Sequence, residues 1–228
     1  MRIFSTHLLG GLMLAATLAA AAAEPVPLKA QGDNFVDPAG KPVKLWGINL
    51  VAFYPDRPTA AATAKNLASL GINCARPHHM LRPSGDWNPG MASGALMDYR
   101  SDSMTPAPEA WDRFFFLTNE LRKNGIYLLL SVGDTRHYRP DDVKVLDGGE
   151  ADNLAWQKSV EEMNRRHWKE AIDARKMMPL FDERAARVVE NYARRLLTAV
   201  NPYSGRKFAD DPQLLTVELL NEFALDYV

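Results

Sequence analysis

Apolar positions recur along this chain in two rhythms that take turns. Short continuous runs give way to stripes spaced three and four apart, so strands alternate with helices. The turn Asp37-Pro38-Ala39-Gly40 lies between β-compatible segments and predicts a small hairpin over Phe35 to Leu45. Leu45 to Leu50 reads as the first strand of the alternating part. Thr59 to Leu70 follows as a helix with Ala60, Ala64, Leu67 and Ala68 on its inner side, stopped by Gly71. The unit repeats with a strand over Ile72 to Pro77, a loop rich in Gly, Pro and Ser reaching about Pro108, and a helix whose face is Trp111, Phe114, Leu117 and Leu121. Gly125 ends that helix. Ile126 to Val132 is a third, almost wholly apolar strand, as suits a strand covered on both faces. Asn153 to Arg175 reads as helical but polar, an excursion from the main body. Asp182 then caps a helix with the stripe Ala185, Val189, Tyr192, Leu196 and Val200. A loop over Asn201 to Pro212 leads to a last strand, Leu214 to Leu220. Strands separated by helices predict an α/β fold with a parallel sheet.

The first residues belong to a different pattern. Arg2 precedes an apolar run from Leu8 to Leu18, small residues Ala19 to Ala23 follow, and Glu24, Pro25 and Pro27 break the run. The run is short for a bilayer span, so residues 1–23 are expected to be a secretory signal peptide cut after Ala23, with the remainder one domain over 24–228. The expected location is secreted or periplasmic, with no membrane contact after cleavage. Cys74 is the only cysteine, so no internal disulfide forms, and its apolar neighbours predict a buried thiol. The 27 basic and 28 acidic residues nearly cancel, which argues against nucleic acid as a partner and suits a neutral polymer.

Ligands of parallel α/β sheets gather at the carboxyl ends of strands. There the chain places Asn49, then Arg76, His78 and His79, then Asp134 and His137, then Asn221 and Glu222. A carboxylic acid at the mouth of an apolar strand is a proton donor in waiting, and partial desolvation is expected to raise the pKa of Glu222. Neighbours on a regular strand point to opposite faces, so Asn221 and Glu222 share one site only if the strand breaks or bulges. His78 and His79 lack a third ligand at sensible spacing, so neither a metal nor another cofactor is expected.

The segment Glu218-Leu219-Leu220-Asn221-Glu222 resembles the E-x-x-N-E ending of the fourth strand in glycoside hydrolase family 5 and its clan, the cellulase and mannanase relatives. The resemblance extends in order to the hairpin Gly32 to Gly40, to Leu45-Trp46-Gly47-Ile48-Asn49-Leu50, and to Asn73-Cys74-Ala75-Arg76-Pro77-His78-His79. It implies a partial (β/α)8 TIM barrel: the first four β/α units behind an N-terminal β-hairpin. It also implies a retaining glycosidase of β-linked polysaccharide or oligosaccharide, in which Glu222 is the acid/base, Asn221 binds the 2-hydroxyl, and Arg76 orients the nucleophile. Glu218 would face the barrel interior and need a donor, for which Arg76 is a candidate. His78, His79, Asn49 and His137 are expected to meet sugar hydroxyls. Tyr54, Trp87, Tyr99 and Tyr138, in strand-end loops, are candidate platforms for sugar rings, whereas Trp111, Phe114 and Tyr192 sit on helical stripes as core.

The chain departs from the family pattern at Phe223, where proline is common. It departs again after the third strand, Ser131-Val132-Gly133-Asp134, which lacks the usual histidine and leaves His137 as a stand-in. A complete barrel takes about 250 residues, and the family nucleophile ends the seventh strand, which these residues do not reach. The expectation is therefore a truncated product, a fragment, or a half that pairs with a complementary half-barrel chain. Two alternatives stand beside the enzyme: a catalytically incomplete remnant that only binds carbohydrate, and an unrelated exported (β/α) enzyme.

Overall fold

The computed structural model describes residues 23–82, 95–100, 102–146, 148–166 and 168–222. The signal-peptide reading, Trp87 and Phe223 fall outside these residues. The first described elements form an antiparallel three-stranded sheet, β1 (Lys29–Gln31), β2 (Asn34–Val36) and β3 (Pro42–Val43), in that order. The predicted turn between β2 and β3 is closed by Asp37. Its backbone N–H donates to the Lys41 carbonyl at 3.0 Å, while its carboxylate accepts from the N–H groups of Ala39 and Lys41 at 2.9 Å.

The alternating part folds as a four-stranded parallel sheet, β4 (Gly47–Val51), β5 (Cys74–His78), β6 (Tyr127–Ser131) and β9 (Leu214–Glu218), in the order β4-β5-β6-β9. Helix α1 (Arg57–Ser69) starts where the Asp56 carboxylate accepts from the Thr59 N–H at 2.9 Å, with Pro58 in its first turn. Helix α2 (Pro108–Lys123) again begins on proline. The core lies between these helices and one face of the sheet: Leu50, Ala75, Leu128 and Leu130 meet Ala60, Ala64 and Leu67 of α1 and Trp111, Phe114, Leu117 and Leu121 of α2. Because side chains alternate along a strand, the opposite face carries Asn49, Arg76, Ser131 and Glu218, with Asn49 paired to Arg76 and Ser131 to Glu218 in register. Among the described residues the sheet is open, with β4 and β9 as its edges.

Three expectations are corrected here. The stretch Asn153 to Arg175 is not one polar helix but parts of two, α3 (Glu150–Arg165) and α4 (Trp168–Phe181). They enclose a second core in which Trp156, Val160 and Met163 pack with Tyr138, Leu146, Ala185 and Val188. Polarity of the outer faces concealed an inner stripe. In α5 (Glu183–Thr198) the buried position is Val188, not Val189, and Val200 lies half exposed in a two-residue strand, β7 (Val200–Asn201), paired with β8 (Arg206–Lys207) inside the supposed loop. Helical geometry puts residue 188 four before Tyr192, so the stripe is consistent with the 3.6-residue period.

The last strand stops at Glu218, two residues short of the predicted end, because β6 and β9 converge there too closely to continue a regular ladder. A Cβ on Gly133 would lie 1.7 Å from the Leu219 carbonyl oxygen, so only glycine admits this approach. Beyond it the Asn221 N–H donates to the Gly133 carbonyl at 3.0 Å, leaving Leu219 and Leu220 facing outward. A Gly133→Ala variant is expected to lose about 1–3 kcal/mol or more, the usual cost of overpacking, in urea unfolding followed by circular dichroism. The loss comes with displacement of residues 219–222, which is read from the backbone amide shift of Asn221.

Candidate functional site

Arg76 organises the polar face. Its Nη2 donates to Glu218 Oε1 and Oε2, both at 2.7 Å, and its Nε donates to Oε2 at 3.2 Å. The same Nη2 donates to Asn221 Oδ1 at 2.6 Å, and Nη1 reaches Asn49 Oδ1 at 3.4 Å. One guanidinium thus ties β4, β5 and β9 to the segment that follows β9, with charge-assisted bonds of the strong kind. Glu218 has the cationic partner that an inward-facing carboxylate needs, and Arg76, Asn49 and Asn221 stand together.

Asn221 is 3% exposed. With Oδ1 engaged by Arg76, its Nδ2 is a buried donor without a hydrogen-bond partner. The strand does break where Asn221 and Glu222 require it: Glu222 has φ +53°. Among the described residues the non-glycine residues in this left-handed region are Ala52 and His79, which directly follow β4 and β5, and Glu222, four residues past β9. Such conformations cost roughly 1–3 kcal/mol and concentrate at functional sites.

The expected apolar setting of Glu222 is corrected. Its side chain is 61% exposed and accepts from Lys176 Nζ of α4 at 2.7 Å. That hydrogen bond, then the modest opposing effect of burial, then the charges of Lys176, His79 and His78 hold its carboxyl below the usual range rather than above it. Lys176 was not singled out in the sequence; it lies one residue past the stretch read as a polar helical excursion, and no local signal marks it.

His78 ends β5 and His79 follows it, with ring centroids 4.3 Å apart. His79 Nδ1 lies 2.8 Å from Asp134 Oδ1, which also accepts from the Thr135 N–H at 2.6 Å. His78 is buried, neither ring nitrogen has a hydrogen-bond partner, and burial followed by the charges of His79 and Arg76 lowers its pKa. His137 is half buried elsewhere: its Nε2 lies 3.3 Å from Arg175 Nη1 and its ring packs edge-on against Tyr99.

The aromatic platforms are corrected as well. Tyr54 is 2% exposed with its hydroxyl donating to the Met80 carbonyl at 2.7 Å, and Tyr99 donates to the Leu81 carbonyl at 2.5 Å. Tyr138 is 1% exposed and packs edge-on to Trp156. These rings present no face to a ligand; each hydroxyl bond or ring contact pins them in the core instead. Trp111, Phe114 and Tyr192 are core, and Cys74 is a buried free thiol whose pKa burial raises. Among the described residues no group of three or more His, Cys, Asp or Glu side chains could hold a metal ion.

No family model and no curated protein matches the chain. Solved structures do. The glycoside hydrolase family 5 mannosidase from Rhizomucor miehei superposes with a TM-score of 0.64 at 16% identity over 88% of this chain and 50% of that one; a mutant of it is solved in complex with mannosyl-fructose. The endo-1,4-beta-mannanase from the same organism gives 0.56 at 18% identity, covering 86% and 48%. The endo-beta-1,4-mannanase of Thermotoga petrophila gives 0.50 at 18%, covering 82% and 37%. The chain spans about half the length of the enzymes it matches, and its open parallel sheet with flanking helices has the α/β fold of the corresponding part of those structures.

Proposed function

We propose that this chain forms the acid/base side of a glycoside hydrolase that cleaves O-glycosyl bonds in a β-linked, mannan-type polysaccharide or oligosaccharide with retention of configuration. Export by an N-terminal signal peptide belongs to the same reading. Such hydrolysis takes a proton for the departing oxygen and a second carboxyl group about 5–5.5 Å from the first. Glu222 gives the proton and, once the glycosyl intermediate has formed, takes one back from water. The second carboxyl group comes from further β/α units completing the barrel, on the same polypeptide or on another chain.

The observation that carries this reading is the Arg76 array. By engaging Asn221 Oδ1, it turns the Asn221 amide so that a buried N–H donor is left over, and a sugar 2-hydroxyl is a natural acceptor for it. Glu222 follows directly on a left-handed backbone that takes it out of strand alternation. His78 and His79 add ring nitrogens at the same strand ends, and Asn49 braces Arg76.

The test uses a β-1,4-linked manno-oligosaccharide, with calorimetry for binding and product analysis for cleavage. Cleavage is expected once the β/α units that bring the second carboxyl group complete the barrel, with Glu222→Gln lowering kcat by about 10²–10⁴ and leaving binding nearly unchanged. Binding without turnover would put the carbohydrate-binding remnant in place of the enzyme, and neither binding nor turnover would remove both. In the same calorimeter, Asn221→Ala is expected to weaken binding about tenfold, the loss of one hydrogen bond, and to make no difference with a ligand lacking the 2-hydroxyl.

A further inference from the structure

We propose that Lys176 is a positioning residue for Glu222: from α4 it aims and holds the acid at the strand-end rim, and it is released when a sugar enters. This rests on the proposed role of Glu222 and goes beyond it, since α4 lies outside the strand-end pattern that pointed to the cleft.

The pair differs from the ion pairs formed within single helices. Arg165 with Glu162 and Arg194 with Glu190 join close neighbours on one helix, and all four side chains are largely exposed. Lys176 reaches a residue 46 positions away, and its own side chain is only 11% exposed whereas that of Glu222 is 61%. A packed lysine stem delivers its ammonium group to a carboxylate that is open to solvent. The stem does not swing freely, because α4 is fixed beside it: Arg175 Nη2 donates to Asn164 Oδ1 of α3 at 2.8 Å, and Ala171 is buried in the second core. Glu222 in turn has its backbone direction set by its φ of +53° and by the Asn221 bond to Gly133. The remaining titratable groups facing it are His78 at the end of β5 and His79 just beyond it, with Asp134 after β6 paired to His79.

The chemical consequence is a conflict that substrate must resolve. A carboxylate bonded to an ammonium group has no proton to give, whereas a glycosidic oxygen must receive one. Hydroxyls of an entering sugar compete for Lys176 Nζ and displace water around Glu222. Both effects favour the protonated acid.

The experiment is a carbon-13 titration of the Glu222 carboxyl in the full chain, assigned by its loss in Glu222→Gln. In Lys176→Met the midpoint is expected to move upward, and in Lys176→Arg to stay near that of the unsubstituted chain. An unchanged midpoint in Lys176→Met would overturn the proposal. Should Lys176→Met fail to fold, the nitrogen-15 signal of the Lys176 ammonium group decides: it shifts in Glu222→Gln if the pair exists, and an unmoved signal sinks the idea. Adding a β-1,4-linked manno-oligosaccharide to the unsubstituted chain is expected to raise the Glu222 midpoint, and a bound ligand that leaves it unmoved refutes the release step. These readouts do not require turnover, so a completed barrel that is inactive but keeps the shift removes the hydrolase reading alone, and an active one without the shift removes this proposal alone.

Discussion

A single guanidinium holds the cleft together. The face of the sheet opposite the helices would be a poor place for Glu218, a partly buried carboxylate, were Arg76 not fitted to it by parallel donors. The same group spends its remaining hydrogen-bonding capacity on Asn221 and Asn49, so strands at the two edges of the sheet are linked across its middle. Lysine could match the charge but not the planar fork that meets a carboxylate and two amides at once. Everything proposed for the cleft depends on this array, because it decides which end of the Asn221 amide faces outward.

Backbone geometry supplies the second constraint. Left-handed residues at Ala52, His79 and Glu222 turn the chain away from the sheet past the ends of β4, β5 and β9. The bare Cα of Gly133 lets the Leu219 carbonyl come close enough to lock the rim of β9 onto β6. The strain is tolerated because a well-packed layer of Leu50, Ala75, Leu128 and Leu130 beneath the rim fixes where those strands end.

Charge completes the site from outside the repeating units. The excursion of α3 and α4 is anchored to the loop after β6 from α3: Trp156 Nε1 donates to the Arg139 carbonyl at 3.3 Å, and Asn164 Nδ2 donates to the Tyr138 carbonyl at 3.2 Å. This anchorage is what allows Lys176 to reach Glu222. Since the pKa of Glu222 is lowered in the fold, the pair adds stability above the ordinary carboxylate range and loses it as pH falls through the lowered value. The contribution is small, because the carboxylate is mostly exposed.

The order of elements could be read from the chain because hydrophobic period and turn chemistry are local. Glycines at 71 and 125 and the cap at Asp182 mark their helices without reference to anything distant, and the strand-end rule then gathers Asn49, Arg76, His78, His79, Asn221 and Glu222. The partner of Glu218 was legible too, since an inward carboxylate must find a cation. Tyrosines 54, 99 and 138 were misread because a loop position says nothing of burial, and the carbonyls of Met80 and Leu81 that receive two of their hydroxyls are supplied by the fold alone. The ionisation of Glu222 was misread for the same reason. Its local sequence is apolar, but pKa follows the charges that are near in space, and a helix more than forty residues upstream brings the decisive one. Sequence by itself determined the alternation, the inward polar face and the residues at the rim, all properties of neighbours along the chain. Tertiary structure decided burial, the break after Glu218 and the charge on the acid, because each depends on atoms that only packing brings within a few ångströms.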